Sequence, residues 1–259
     1  MTFRDLHYGP GPLLLPNAWD AGSARLIAHM GAKAIATTSA GVAWSHGYPD
    51  GDVLPVRLLT GTVAAIARVI DIPLTVDIEG GYSNDLDIVE ETIKAVLDAG
   101  AVGINLEDGA GTPELLCAKI ERARRAGERS GVTVFINARA DVYLAGLAPE
   151  ERRVEETLSR ARKYRDAGAD GLFVPAVVRA EDIRIIAASA GLPLNVLAVP
   201  GLPGLAELAD LGVKRLSAGS GIARLVYSQG AETAAAFLRS GLLEPSAKTY
   251  AEINALMQQ

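Results

Sequence analysis

Three apolar runs end in ionisable side chains: "LTVDIEGG" in Asp77 and Glu79, "INLED" in Glu107 and Asp108, and "INARAD" in Arg139 and Asp141. Side chains alternate along a strand, so Asp77 and Glu79 share one face. Like charges facing the same way destabilise each other unless water or a cation lies between them. An all-oxygen donor set suits a hard cation, and Mg2+ commonly takes one or two carboxylates and keeps several waters. Asp77, Glu79 and Glu107 are therefore candidate metal ligands, with Mg2+ expected and Mn2+ as the alternative. The competing reading is that these acids cap the helices that follow. Arg139 offers a planar fork that matches a carboxylate; the alternative is an internal salt bridge to Asp141.

Bringing these groups together requires a regular scaffold. Strand-like runs occur at Leu13–Trp19, Ala34–Ser39, Leu74–Glu79, Gly103–Asp108, Val134–Asp141, Gly171–Ala176, Leu194–Ala198 and Arg215–Gly219. Helix-period segments such as Asp85–Ala99 and Glu150–Ala167 lie between them, with acids early and Lys or Arg later. The helices share an ending, "HMGAKAIA", "DAGAVGIN", "DAGADGLF" and "DLGVKRLS", in which Gly supplies a left-handed C-cap before a strand. Gly31, Gly100 and Gly168 recur at twice a ~34-residue unit.

Eight strand–helix pairs, with no linker or composition shift to divide them, predict one (β/α)8 TIM-type barrel domain over residues 1–259. A doubly wound open sheet competes, but it has fewer strands and a Gly-rich first turn. The first turn here, "NAWDAGSARL", offers Asp20 as a helix cap and no dinucleotide fingerprint. Barrel sites lie at the C-terminal strand ends. Asp77, Glu79, Glu107 and Arg139 then fall on neighbouring strands, ~4.8 Å apart. Beyond the eighth unit, at about residues 231–259, helix-period apolar residues have no place on a closed barrel. Extra C-terminal helices packing on a neighbouring subunit are expected, hence a homo-oligomer; packing across the bottom of the same barrel is the alternative.

Composition excludes several other classes. The 259 residues are 49% hydrophobic and 22% charged, which fits a globular chain. A net charge of −6 predicts neither nucleic acid nor an anionic membrane as partner. The single cysteine, Cys117, allows no internal disulfide framework and predicts a reducing compartment. With no charged-then-apolar leader and no apolar run of spanning length, the expected location is the cytoplasm.

From "NAWDAGSARL" through "ATTSAGVAWSHGYPDGD", "VDIEGGY", "INLEDG", "INARAD" and "LNVLA", nearly the whole chain resembles the isocitrate lyase/phosphoenolpyruvate mutase superfamily. The resemblance implies a modified, phosphoenolpyruvate/pyruvate-domain-like (β/α)8 barrel, assembled as a dimer of dimers (a homotetramer) with the last helix on a neighbouring subunit. It also implies making or breaking C–C or C–P bonds beside a 2-oxo acid, with Mg2+ stabilising an enolate-like oxyanion. On this resemblance Asp77 matches the inner metal acid, while Glu79 and Glu107 match acids that reach Mg2+ mostly through water. Glu79 stands where the family usually has Asp. Ser39, Ala40 and Gly41 match a turn whose backbone N–H groups hold the substrate carboxylate. Asp50 matches an acid near metal and substrate, and Arg139 the arginine that anchors the substrate and its developing charge. These two are the expected catalytic residues. Asn195 matches a substrate-binding asparagine of several lyases; bonding to backbone in a packed barrel is its alternative. His46 and His29 need no catalytic role, the second because it sits at a helix end.

The departures are as informative. Cleaving lyases of the superfamily carry a Lys-(Lys/Arg)-Cys-Gly-His loop after the "LED" strand. Here "EDGAGTPELLCAKIERARR" passes from a short Gly turn into a helix, with Thr112 as N-cap and Pro113 at its first position. Cys117 then falls on a helix beside Leu116 and Ile120, as a small buried hydrophobe. The strand-six acid or histidine of the family is replaced by Pro175 in "LFVPAV". The expected activity is Mg2+-dependent C–C cleavage or decarboxylation of a small 2-oxo or 2-hydroxy carboxylate. Alternatives are a phosphonate C–P mutase or hydrolase, and a non-catalytic 2-oxo acid binding protein. A phosphate-ester enzyme is a further one, because "SAGSGIAR" resembles a phosphate cradle at a helix start.

Overall fold

Apolar runs buried on both faces become strands, and the amphipathic segments between them become the helices that cover them. The computed structural model describes residues 2–258. Its elements are β1 (Leu13–Leu15), β2 (Asn17–Ala18), α1 (Ala21–His29), β3 (Ile35–Thr37), α2 (Ser39–Ser45), α3 (Val56–Ala67), β4 (Leu74–Asp77), α4 (Leu86–Asp98), β5 (Gly103–Glu107) and α5 (Pro113–Ser130). There follow β6 (Phe135–Arg139), α6 (Arg153–Asp166), β7 (Gly171–Val174), α7 (Ala180–Ser189), β8 (Leu194–Leu197), α8 (Leu205–Asp210), β9 (Arg215–Ser217), α9 (Gly221–Ser240) and α10 (Tyr250–Gln258).

Every strand pairing is parallel, in the order β1-β9-β8-β7-β6-β5-β4-β3-β2. Pro16, which has no N–H to donate, divides the first predicted run. Its first half pairs with β9 and its second with β3. The order therefore returns to its start, and the sheet is a nearly closed barrel with helices outside. The eight predicted runs became nine strand segments for this reason.

Local chemistry sets the helix boundaries. Asp20 accepts a bond from Ser23 N–H (2.7 Å) while Ser23 Oγ accepts from Asp20 N–H (3.1 Å), a reciprocal cap on α1. Asp85 caps α4, and Thr112 caps α5 with Pro113 in the first turn. Gly31, Gly100, Gly168 and Gly212 all take the positive φ predicted for the repeated helix endings. The second run is shorter than expected: β3 stops at Thr37, and Ser39 already belongs to α2. Glu150 to Arg152 form a 3-10 turn, so α6 starts three residues later than the acids suggested.

Two apolar layers hold the barrel. Its outer surface packs against the helices, while Phe3, Leu13, Leu15, Ala34, Ala36 and Phe135 plug the floor inside. The imidazole of His7 stacks on Phe135 in that plug, with ring centroids 4.1 Å apart. At the far end α9 continues past the barrel with Leu225, Val226, Phe237 and Leu238 exposed. The last helix turns back onto its own chain: Leu256 is buried, and Arg25 Nε donates to its carbonyl at 3.0 Å.

Candidate active site

Barrel register brings the predicted groups to one mouth. Asp77 ends β4, Glu107 ends β5 and Arg139 ends β6, with Glu107 and Arg139 paired across adjacent strands. The guanidinium of Arg139 is forked onto Asp141, with Nε to Oδ1 at 2.6 Å and Nη2 to Oδ2 at 3.0 Å. Its Nη1 forms an ion pair with Glu107 Oε2. The ring of Phe173 lies 5.9 Å below the guanidinium carbon. The salt bridge to Asp141, raised as the alternative, is thus present. Burial opposes the arginine charge, but Glu107, Asp141 and Asp77 outweigh it and hold the guanidinium firmly protonated.

The acids carry the opposite stress. Burial pushes the Asp77 carboxyl up, against the pull of Arg139, while the nearby charge of Asp50 pushes the same way. Glu107 is driven up to about 8 by burial, opposed by Arg139 and reinforced by Asp77, Asp141 and Glu79. Its Oε2 is buried and, although ion-paired, lacks a hydrogen bond of good geometry. Asp77 and Glu107 are therefore oxygen donors short of positive charge, a state that a hard cation relieves. Beneath them, Asp108 ties strand ends together by accepting from Asp141 N–H (2.9 Å), Arg160 Nη1 (2.7 Å) and the Tyr164 hydroxyl.

Glu79 makes its contacts on the loop side of the mouth. Its backbone is left-handed (φ 52°), which turns the side chain toward the loop after α2. Oε2 accepts from Gly51 N–H at 2.8 Å and from Asp52 N–H, and Oε1 from the Tyr82 hydroxyl at 3.0 Å. Among the described residues no three His, Cys, Asp or Glu side chains form a metal-binding group. Asp77 and Glu79 both lie close enough to Glu107 to act on it electrostatically, and loop donors occupy the Glu79 carboxylate. Asp50 is close enough to raise both Asp77 and Glu79 electrostatically.

Ser39, Ala40 and Gly41 are buried in the first turn of α2, where backbone N–H groups lack partners within the helix. Ser39 N–H points to the Asp77 carboxylate. A Cβ on Gly41 would lie 2.6 Å from Thr38 Cγ2 and 2.9 Å from Trp19 Cβ, so only glycine fits there. Asn195 is buried on β8. Its β8 position points it into the barrel, where Oδ1 accepts from Asn137 Nδ2 (3.0 Å) and Ser217 Oγ (3.1 Å). Its Nδ2 donates to the Val196 carbonyl at 2.8 Å, in keeping with the alternative reading. His46 bonds Thr62 Oγ1, and Cys117 is half-buried with its thiol pushed up by burial. In "SAGSGIAR", Gly219 N–H donates to Asn17 Oδ1, and a Cβ there would lie 2.7 Å from Leu197 Cδ1, so packing accounts for that glycine.

Sequence reasoning missed Tyr82 and Lys119. Lys119 Nζ reaches from α5 to the Gly80 carbonyl (2.6 Å) and Asn84 Oδ1 (3.1 Å), bracing the turn after β4. The tyrosine in "EGGY" was a signal, since a polar ring two residues after a double glycine can fold back on the acid. A lysine nearly two turns into α5 was not.

A nearly closed parallel barrel with half-buried acids and one arginine at its C-terminal mouth defines the class of site. The family is shown by sequence: the phosphoenolpyruvate phosphomutase model matches residues 3–238, and the chain belongs to that family within the isocitrate lyase/phosphoenolpyruvate mutase superfamily. Among its relatives, 2-methylisocitrate lyase of Salmonella typhimurium is 32% identical over 74% of this chain and 68% of its own. Oxaloacetate decarboxylase of Pseudomonas fluorescens is 29% identical, covering 85% and 78%. A solved Burkholderia cenocepacia J2315 protein, provisionally described as a phosphonomutase, is 44% identical with TM-score 0.83, over 92% of this chain and 98% of that one. The fold alone is shared with a phosphonopyruvate hydrolase solved with oxalate and Mg2+ (24% identity, TM-score 0.85, 98% and 93% covered). Members of the superfamily are enzymes: lyases, decarboxylases, hydrolases and mutases. No helix among the described residues is long and apolar enough to cross a membrane.

Proposed function

We propose that this chain is a Mg2+-dependent carbon–carbon lyase or decarboxylase acting on a small 2-oxo or 2-hydroxy carboxylate through an enolate-like intermediate. The observation that carries the reading is the half-buried Asp77–Glu107 pair facing Arg139, with the Glu107 Oε2 atom itself buried and lacking a good hydrogen bond. These two acids would hold the ion, directly or through water. When bound, Mg2+ supplies Lewis-acid polarisation of a chelated oxygen. The protein supplies the rest. Arg139, locked by Asp141, presents its free N–H groups to a substrate carboxylate and to negative charge that develops during reaction. The first turn of α2 adds backbone donors at Ala40 and Gly41. Asp50, at the exposed loop above, is the group best placed to exchange a proton with bound substrate.

Decarboxylation is favoured over cleavage of a larger acid by the turn after β5. Asp108 leads through Gly109, Ala110 and Gly111 to the cap Thr112, with no side chain that donates a proton to a departing carbanion. A phosphonate mutase or hydrolase is the second reading, supported by the 44% identity to the Burkholderia protein. Assays with Mg2+ and oxaloacetate, phosphonopyruvate, isocitrate and 2-methylisocitrate separate these. Pyruvate formation from oxaloacetate is expected; phosphate release or phosphoenolpyruvate formation from phosphonopyruvate alone would favour the second reading. No turnover alongside tight 2-oxo acid binding would mark a binding protein.

The same reading includes a homo-oligomer, a dimer of dimers. An apolar groove of about 770 Å³ beside Leu14, Ile27 and Met30 and the exposed α9 face with Leu225 and Phe237 are the surfaces that support it. Light scattering at micromolar concentration is expected to give a multiple of 27.0 kDa; a monomer mass refutes it.

A further inference from the structure

We propose that Glu79 is a positioning residue, a latch that holds the Asp50–Asp52 loop over the mouth, and not a metal ligand. The proposal deepens the functional reading above, since it concerns the same mouth. Three observations meet at this residue. First, its acceptor capacity is spent on the loop and its own turn: Gly51 N–H and Asp52 N–H bond Oε2, and the Tyr82 hydroxyl bonds Oε1. Second, the contact is reciprocal, because Asp52 Oδ1 accepts from Tyr82 N–H at 3.0 Å. Two segments separated by an entire helix are therefore stitched in both directions. Third, of four non-glycine residues with positive φ among those described, three are Asp52 (57°), Glu79 (52°) and Tyr82 (61°). Such conformations persist where surroundings over-determine them, and they gather at ligand clamps.

The glycines complete the device. A Cβ at Gly80 would lie 2.7 Å from Asp52 Oδ2, so a side chain there would push the Asp52 carboxylate from its present position. Lys119 then pins the Gly80 carbonyl from α5. Gly81 takes a positive φ of 89°, which favours glycine there for a separate reason. The side-chain length matters as well. An aspartate at position 79 would fall roughly 1.5 Å short of the Gly51 and Asp52 N–H groups, one carbon–carbon bond. The extra methylene is what lets this carboxylate serve the loop. Since Asp50 immediately precedes the two held N–H groups, the latch sets where Asp50 stands relative to Asp77.

The test compares Glu79→Ala and Glu79→Gln with the unaltered protein, using amide hydrogen exchange and Mg2+ titration calorimetry. Glutamine keeps the length and an acceptor but loses the charge, so it rescues a latch and not a ligand. Exchange at Gly51 and Asp52 is expected to rise at least about tenfold in Glu79→Ala and clearly less in Glu79→Gln, with β5 amides unchanged. Mg2+ affinity is expected to fall less than tenfold in both. Unchanged loop exchange in Glu79→Ala, or a tenfold or greater loss of Mg2+ affinity in Glu79→Gln, overturns the proposal. Tyr82→Phe guards against misfolding of the position-79 variants: it should raise exchange at the same amides by a smaller factor, and no change there also counts against the latch. If the unaltered protein binds no Mg2+, the functional reading falls while the exchange comparison still decides the latch.

Discussion

Neutralising Glu107 should stabilise the metal-free protein at alkaline pH, while weakening the site. An acid whose folded pKa lies above its unfolded value holds its proton more tightly when folded. That contribution is fully present below the unfolded value of 4.5 and is lost as pH rises through the folded value of about 8. At about pH 6 the buried carboxyl is still neutral. Between about pH 6 and 8 the unfolded chain is ionised and the folded one is not, so stability falls by ~1.4 kcal/mol per unit, about 2.7 kcal/mol in all. Above that the loss levels off. Glu107→Gln keeps the shape and removes the ionisation. Urea unfolding with a chelator present, for both proteins at about pH 6 and about pH 9, should show the variant gaining about 2.5 kcal/mol on the parent between the two pH values. Saturating Mg2+ at the higher pH should return the parent's loss, since a ligand at a hundred times its Kd adds about 2.7 kcal/mol. A gap that stays constant within ~0.5 kcal/mol across the range would refute the reasoning, because Glu107 would then not be a buried, charge-starved acid.

Three more outcomes are expected. Asp77→Ala should abolish Mg2+ binding in calorimetry, and binding that is unchanged would remove Asp77 from the metal site. Neither isocitrate nor 2-methylisocitrate should be cleaved at a useful rate despite the relatedness to 2-methylisocitrate lyase, because a placed acid is worth roughly a hundredfold or more; robust glyoxylate or pyruvate release, lost on alkylation of Cys117, would contradict this. His7 is held down at about 4 by burial and then by the Arg215 charge, so its contribution is intact above 6.5 and lost as pH falls toward 4. His7→Phe should therefore remove an acid-side loss of about 2.4 kcal/mol, read from paired denaturation curves near pH 7 and pH 4.5.

Much of the molecule was legible in the chain because the signals are local. A left-handed glycine at a helix end, an Asp or Thr cap and a run of buried β-branched residues act over a few residues, and their repetition predicts a barrel. Barrel geometry then put Asp77, Glu107 and Arg139 at one mouth, as register confirms. What the sequence could not decide was which distant partner takes each polar atom. Glu79 and the loop at Gly51 are 28 residues apart, and only a left-handed backbone at Glu79 aims the carboxylate at that loop. Asn195 and Arg139 both lie on strands of the same barrel, yet one, second in β8, saturates its amide in the interior and the other, last in β6, reaches the mouth. One step in depth along a strand separates a buried network from a site, and residue type carries no record of that step. Nor does it record whether the fork of Arg139 closes on Asp141 or stays open. Those choices are made by packing between segments far apart in sequence, where each polar group takes whichever partner burial leaves within reach.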